Sequence, residues 1–174
     1  MNFKLIVATC KNNGIGINNT LPWKYGADLK HFSKITKGQG NNAIVMGRKT
    51  WDSLNHKPLI GRDHFILSKN LEINEYKNNV FIHSFKDIMD LCLFCKKKTY
   101  DCVWIIGGQQ IYDQFLKTEL IDECVITKIN KDYNCDVFFP SLDDNWYMTK
   151  LESLTDASNN IIDDIAVVYM KKKT

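Results

Sequence analysis

Asp28 is the first residue of this chain whose setting suggests chemistry. It follows Leu21-Pro22-Trp23 and precedes Leu29, Phe32 and Ile35, and that apolar spacing predicts a helix from Ala27 onward. Lys30, His31 and Lys34 are expected on the other face, so the Asp28 carboxylate lies along the edge of the apolar stripe and points towards a core or a cleft. A carboxylate there is costly without partners, and desolvation raises its pKa, which suits an acid that meets a ligand. A first-turn acid favouring the helix dipole is the plainer reading.

Three further stretches end a strand in groups that fit an anion or a closely approaching ligand. Ala43-Ile44-Val45-Met46 reads as a strand buried on both faces, and it runs directly into a helix at Gly47-Arg48-Lys49-Thr50-Trp51. Cations are disfavoured by the dipole at a helix start, so Arg48 and Lys49 beside free backbone N–H groups suggest a phosphate. The strand His64-Phe65-Ile66-Leu67 ends in Ser68-Lys69-Asn70, again a hydroxyl and a cation. Val103-Trp104-Ile105-Ile106 runs into Gly107-Gly108 and then the helix Gln109 to Leu116. Adjacent glycines there allow close backbone approach, or simply a tight turn.

The elements that position these groups alternate in type. A strand at Phe3 to Thr9 leads into a connection over Lys11 to Asn19 with two glycines and four asparagines, in which Ile15 and Ile17 could lie over something apolar. Such a loop is either a lid or an ordinary surface loop. A strand at Val80 to Ile82 is followed by Ser84, expected to cap a helix from Phe85 to about Phe94 with Asp87 at the capping-box position. From Glu123 the chain is mostly β: Cys124 to Ile129, Trp146 to Leu151 and Ile165 to Met170, the last two implying a closing antiparallel pair. The expected fold is α/β, one domain over residues 1–174, with a central, mostly parallel twisted sheet, helices on both faces and an antiparallel C-terminal edge pair.

Composition narrows the function classes. The 174 residues are 44% hydrophobic and 25% charged, which is ordinary for a packed domain. The net charge of +3 comes largely from Lys96-Lys97-Lys98 and Lys171-Lys172-Lys173, with no basic stripe interleaved with aromatics, so nucleic-acid binding is not expected. Met1 to Cys10 holds only a short apolar run and no apolar stretch approaches membrane-spanning length, so no signal peptide and a cytoplasmic protein are expected. The six cysteines require no disulfide framework, and Cys92-x-x-Cys95 has no partner pair or histidine cluster, so both are expected as helix thiols and no metal is expected.

Taken in order, these motifs resemble dihydrofolate reductase over nearly the whole chain. The resemblance rests on the Ile6-Val7-Ala8 strand, Gly14-Ile15-Gly16, Leu21-Pro22-Trp23, Asp28 with Phe32, Val45 to Trp51, Pro58-Leu59-Ile60-Gly61-Arg62, Ile106-Gly107-Gly108 with Tyr112, Thr127, and Asp136 before Phe138-Phe139-Pro140. The five-residue step from Trp23 to Asp28 looks like the shorter, bacterial-style form of the family.

The resemblance implies reduction of 7,8-dihydrofolate to tetrahydrofolate, with hydride from NADPH reaching C6 of the pterin and a proton reaching N5. It implies catalytic roles for Asp28, Thr127 and Trp23. Substrate would meet Ile6, Val7, Ala8, Leu29, Phe32, Leu54, Leu59, Arg62, Ile106 and Tyr112, with Arg62 on the glutamate tail. Cofactor would meet Ala8, Ile15, Gly47, Arg48, Lys49, Thr50, Leu67, Ser68, Lys69, Gly107, Gly108, Gln109, Gln110, Ile111 and Tyr112. Gln109 and Gln110 depart from the glycine, serine or basic residue often found in the family, which leaves Arg48, Ser68 and Lys69 for the 2′-phosphate. A monofunctional, monomeric enzyme that binds antifolates is expected. The alternatives are a related pteridine or pyrimidine reductase on the same fold, or an idle binding module.

Overall fold

The computed structural model describes residues 1–174. Alternating apolar residues build the centre. In β1 (Phe3–Thr9), Phe3, Leu5 and Val7 enter one core and Ile6 enters another, because successive side chains of a strand point to opposite faces. β3 (Asn42–Gly47), β4 (Arg62–Leu67), β6 (Val80–Phe85), β7 (Cys102–Gly107) and β8 (Ile121–Ile129) follow the same rule. All six pair in parallel in the order β8-β1-β7-β3-β4-β6. β10 (Trp146–Thr155) and β11 (Ile161–Lys172) form an antiparallel pair beyond β8, and β5 (Asn74–Lys77) closes the other edge to give nine strands. The small pair β2 (Gly14–Gly16) and β9 (Val137–Phe138) lies apart.

Four helices cover the two faces. α1 (Gly26–Lys37) and α2 (Arg48–Ser53) pack on the Ile6, Ile44, Met46 and Ile66 side, while α3 (Ile88–Lys96) and α4 (Gln109–Leu116) pack on the Leu5, Val45, Phe65 and Ile105 side. The expected α/β sheet with helices on both faces and a C-terminal antiparallel edge is therefore what the chain forms. No helix is long and apolar enough to cross a membrane. Cys92 and Cys95 sit on α3, and all six cysteines are free.

Four local expectations need correction. The inward face of α1 carries Asp28, His31 and Thr36, with Phe32 and Ile35 partly buried, while Leu29 is 60% exposed. Three-residue steps drift about 60° each around a helix, so Leu29 falls off the stripe and His31 enters it. Ser84 does not cap a helix: it lies in β6, where its hydroxyl accepts from the Ile73 N–H at 2.9 Å, and Asp87 is the N-cap of α3, accepting from Asp90 N–H at 2.9 Å. β5 is a strand that no apolar pattern predicts, and all four of its residues are exposed. The Lys11 to Asn19 connection is not a free loop: it holds a short 3-10 turn at Lys11–Asn13 and then β2, tied by Asp136 N–H to Gly16 O at 3.0 Å and Phe139 N–H to Asn13 O at 2.8 Å.

Candidate active site

Parallel pairing aligns the carboxyl ends of the central strands, and that edge of the sheet gathers Thr127, Gly47, Leu67 and Gly107, whereas Arg62 lies at the opposite, amino end of β4. Ala8 pairs with Thr127 across β1 and β8, Met46 with Gly107 across β3 and β7, and Gly47 with Leu67 across β3 and β4. The order of connections reverses around β1 and β7, so this edge is a topological switch point, where an open parallel sheet accepts ligands.

Asp28, in the first turn of α1, is only 8% exposed, and Thr127 of β8 is 2% exposed. Burial pushes the Asp28 carboxyl above the usual carboxylate range, and the Thr127 hydroxyl beside it pulls part of the way back. Thr127 is the one side chain that bonds the Asp28 carboxyl, which leaves acceptor capacity for a ligand. The Trp23 indole N–H, by contrast, is buried without a partner in the segment leading into α1, its ring tilted against Tyr133 at 5.5 Å. A buried orphan donor is rare and marks a place for water or ligand.

The far end of α1 carries a second polar group. Arg62, at the start of β4, is 5% exposed, donates to Thr36 Oγ1 at 2.9 Å and to the Ile60 carbonyl at 2.8 Å, and has no carboxylate partner. Two of its five N–H groups remain, and a buried guanidinium without an anion is a ready site for one. Asp28 and Thr36 are eight residues apart on one helix, about 12 Å of rise. Phe32 lies between Asp28 and Thr36 on the helix, and Leu54 and Leu59 are partly buried against the same core.

On the other side of β1, two strand-to-helix turns approach each other. A side chain on Gly47 would come within 3.0 Å of Ile111, and one on Gly108 within 3.9 Å of Thr50 Oγ1. Gly107 has φ +111°, a conformation that favours glycine, and a side chain there would lie 3.0 Å from the Tyr112 ring. Tyr112 is held in turn by its hydroxyl, which donates to the Ile6 carbonyl at 2.8 Å. Glycine therefore keeps a cradle open between the starts of α2 and α4, a shape that fits a dinucleotide's phosphates. Arg48 and Lys49 are exposed, Ser68 is half-buried and Lys69 is exposed, on the adjacent ends of β3 and β4. Arg48 shares its charge with Asp52 at 3.8 Å. Gln109 and Gln110 are exposed at the start of α4, Ile111 and Leu67 are buried, and Ile15 packs partly into the same core. Val7 turns its side chain into that core, leaving only its backbone towards the cleft.

Sequence reasoning missed the groups that hold these residues. Thr36 and His64 support Arg62 and its loop, and His31 on α1 reaches the Tyr169 hydroxyl at 3.4 Å. Their types carry no motif; only their burial in the folded chain reveals them.

A parallel sheet with a buried acid on one side of its strand ends and a glycine-lined cradle on the other defines a class: α/β enzymes that bring a nucleotide cofactor against a small substrate. The chain belongs to the dihydrofolate reductase family, whose model, described as Dihydrofolate reductase, matches residues 2–171. It is 33% identical over 152 residues to the dihydrofolate reductase of Drosophila melanogaster, covering 84% of this chain and 83% of that one. With the dihydrofolate reductase of Aedes albopictus it shares 31% identity over 178 residues, covering 96% and 93%. The bifunctional dihydrofolate reductase-thymidylate synthase of Paramecium tetraurelia is 33% identical over 159 residues, which are 91% of this chain and 32% of that protein. The chain is accordingly an NADPH-dependent oxidoreductase that reduces dihydrofolate to tetrahydrofolate and binds antifolates, and the alternative reductase and idle-module readings are not favoured.

Proposed function

We propose that Asp28 holds and polarises the pterin, that Arg62 holds the glutamate tail, and that the Gly47 and Gly107-Gly108 turns take the cofactor phosphates. The burial of the Asp28 carboxyl beside Thr127, with no cation to pair it, is the observation that carries this reading. One carboxylate can accept hydrogen bonds from both the 2-amino group and N3–H of a pterin, and Thr127 steadies it from behind. Phe32, Leu54 and Leu59 would enclose the rings between Asp28 and Arg62, with the backbone of Ile6, Val7, Ala8 and Ile106 as the floor, while Leu29 would need the ligand itself to cover it. When bound, NADPH supplies the hydride that reaches C6. Asp28 favours the substrate form protonated at N5, and the unpartnered Trp23 N–H can fix a water on that route. Tyr112 and Gly107 set the floor beside the nicotinamide, and Thr50 with Arg48, Lys49, Gln109, Gln110 and Ile111 would line the phosphate end. Ser68 and Lys69 would meet the 2′-phosphate with Arg48.

We also read the chain as one domain acting as a monomer in the cytoplasm. One sheet spans it from end to end, the cleft is built wholly from its own elements, and six free thiols suit a reducing compartment. The test is loss of reduced-nicotinamide absorbance on adding dihydrofolate. Turnover that methotrexate abolishes supports the reading, and purified, folded protein that binds NADPH without oxidising it contradicts it.

A further inference from the structure

His64 of β4 is fully buried, and both of its ring nitrogens are engaged with the loop that precedes the strand. Nε2 lies 2.9 Å from the Leu59 backbone nitrogen, which can only donate, so Nε2 is the acceptor. Nδ1 lies 2.9 Å from the Arg62 carbonyl, which can only accept, so Nδ1 carries the proton. The ring thereby joins the two ends of the Leu59-Ile60-Gly61-Arg62 turn, and Trp51 of α2 packs edge-on against it at 5.9 Å. Gly61 in the middle of that turn has φ +85°, so the turn has a tight, defined path for the ring to hold.

We propose that His64 is a positioning residue for substrate: it fixes the turn so that Leu59 faces the rings and the Arg62 fork faces the tail carboxylate. The inference rests on the reading of Arg62 given above. The Arg62 guanidinium is set from two sides, by Thr36 on α1 and by the Ile60 carbonyl within this same turn. A turn that loosens moves the Ile60 carbonyl and lets the guanidinium swing from the orientation that fits a carboxylate. No group of His64 reaches substrate or cofactor, so the chemistry itself is untouched. Burial, with Arg62 nearby and only partly offset by Asp63 and the Arg62 carbonyl, keeps the ring neutral, the one form that can accept from Leu59.

The test uses the intact enzyme with three substitutions, His64→Leu, His64→Gln and Arg62→Ala. His64→Leu keeps an apolar filling and removes both bonds. It should raise KM for dihydrofolate about tenfold or more while kcat and NADPH affinity change less than about twofold, and a dihydropterin lacking the glutamate tail should be unaffected. His64→Gln, whose amide oxygen can reach the Leu59 N–H, should restore most of the loss. An equal loss for the tail-free substrate, or no loss at all, overturns the inference. Arg62→Ala separates the two readings: if it fails to discriminate the two substrates, the tail assignment falls, whereas discrimination there with none in His64→Leu removes only the role of His64. Nitrogen NMR of the wild-type ring gives an answer independent of variant folding, because an Nε2-protonated tautomer would leave Leu59 without its acceptor and contradict the proposal.

Discussion

An acid buried on the inner face of a helix makes the fold less stable wherever it must ionise, and Asp28 is such a group. Its folded pKa is raised, so the folded state holds the proton more tightly than the unfolded chain, and stability is lost as pH rises through that interval. Asp28→Asn should therefore melt at an unchanged or higher temperature at pH 7 while activity falls; calorimetry showing clear destabilisation would mean that the carboxylate holds the structure together instead. Arg62 behaves differently, because it both ties Thr36 to the Ile60 turn and keeps N–H groups in reserve. Arg62→Ala should weaken dihydrofolate by about 1.5–3 kcal/mol, the usual range for a hydrogen bond to a charged group, and leave NADPH affinity nearly unchanged. Equilibrium titration with each ligand checks this, and equal weakening of both would make Arg62 a purely structural residue.

Elements with strong apolar patterns are legible in the amino-acid sequence alone, and those without them are not. β1, β3 and β7 are runs such as Ile44-Val45-Met46 that can only be buried on both faces. β5 is Asn-Glu-Tyr-Lys, wholly exposed, and forms only because β6 offers its edge, which no local pattern announces. Asp28 is recognisable from its place on the stripe, yet the pattern exchanges His31 and Leu29, because three-residue spacing drifts around a helix and one buried polar residue is invisible to an apolar count. His64 acts through the backbone of Leu59 and Arg62, and Thr36 through the Arg62 side chain, so their importance exists only in three dimensions. The strand ends lead to a prediction of their own. Arg48 after β3 and Lys69 after β4 stand on neighbouring strands, but both are exposed and Arg48 is shared with Asp52. Exposure weakens such contacts to about 1 kcal/mol each, so Arg48→Ala with Lys69→Ala should reduce the preference for NADPH over NADH by roughly tenfold or more. Competition binding at matched ionic strength decides it, and an unchanged ratio would place the 2′-phosphate elsewhere.

At the scale of the whole molecule, one sheet serves two purposes: its interior strands supply the core, and their carboxyl ends carry Thr127 and the glycine turns of the candidate site, to which α1 adds Asp28 and the amino end of β4 adds Arg62. Two buried groups tilt the stability of that whole in opposite directions with pH. His64 is pushed down from 6.5 to about 4, so the unfolded chain binds the proton more tightly between those values and stability falls as pH drops through them, by up to about 3 kcal/mol at the acid end. Denaturant unfolding of the wild type and His64→Gln at pH 7 and pH 5 should show the wild type losing more on acidification; parallel losses would mean that His64 is not held neutral. We propose that Asp28 makes N5 protonation possible at neutral pH. Single-turnover hydride transfer, followed against pH in the wild type and Asp28→Asn with NADPH saturating, decides the role of Asp28. Asp28→Asn should be slower by about two orders of magnitude or more at pH 7, the scale of a lost acid–base group, and should recover as pH falls and solution protonates the substrate. A variant that transfers hydride at a near wild-type rate at pH 7, with no recovery at acid pH, would contradict it.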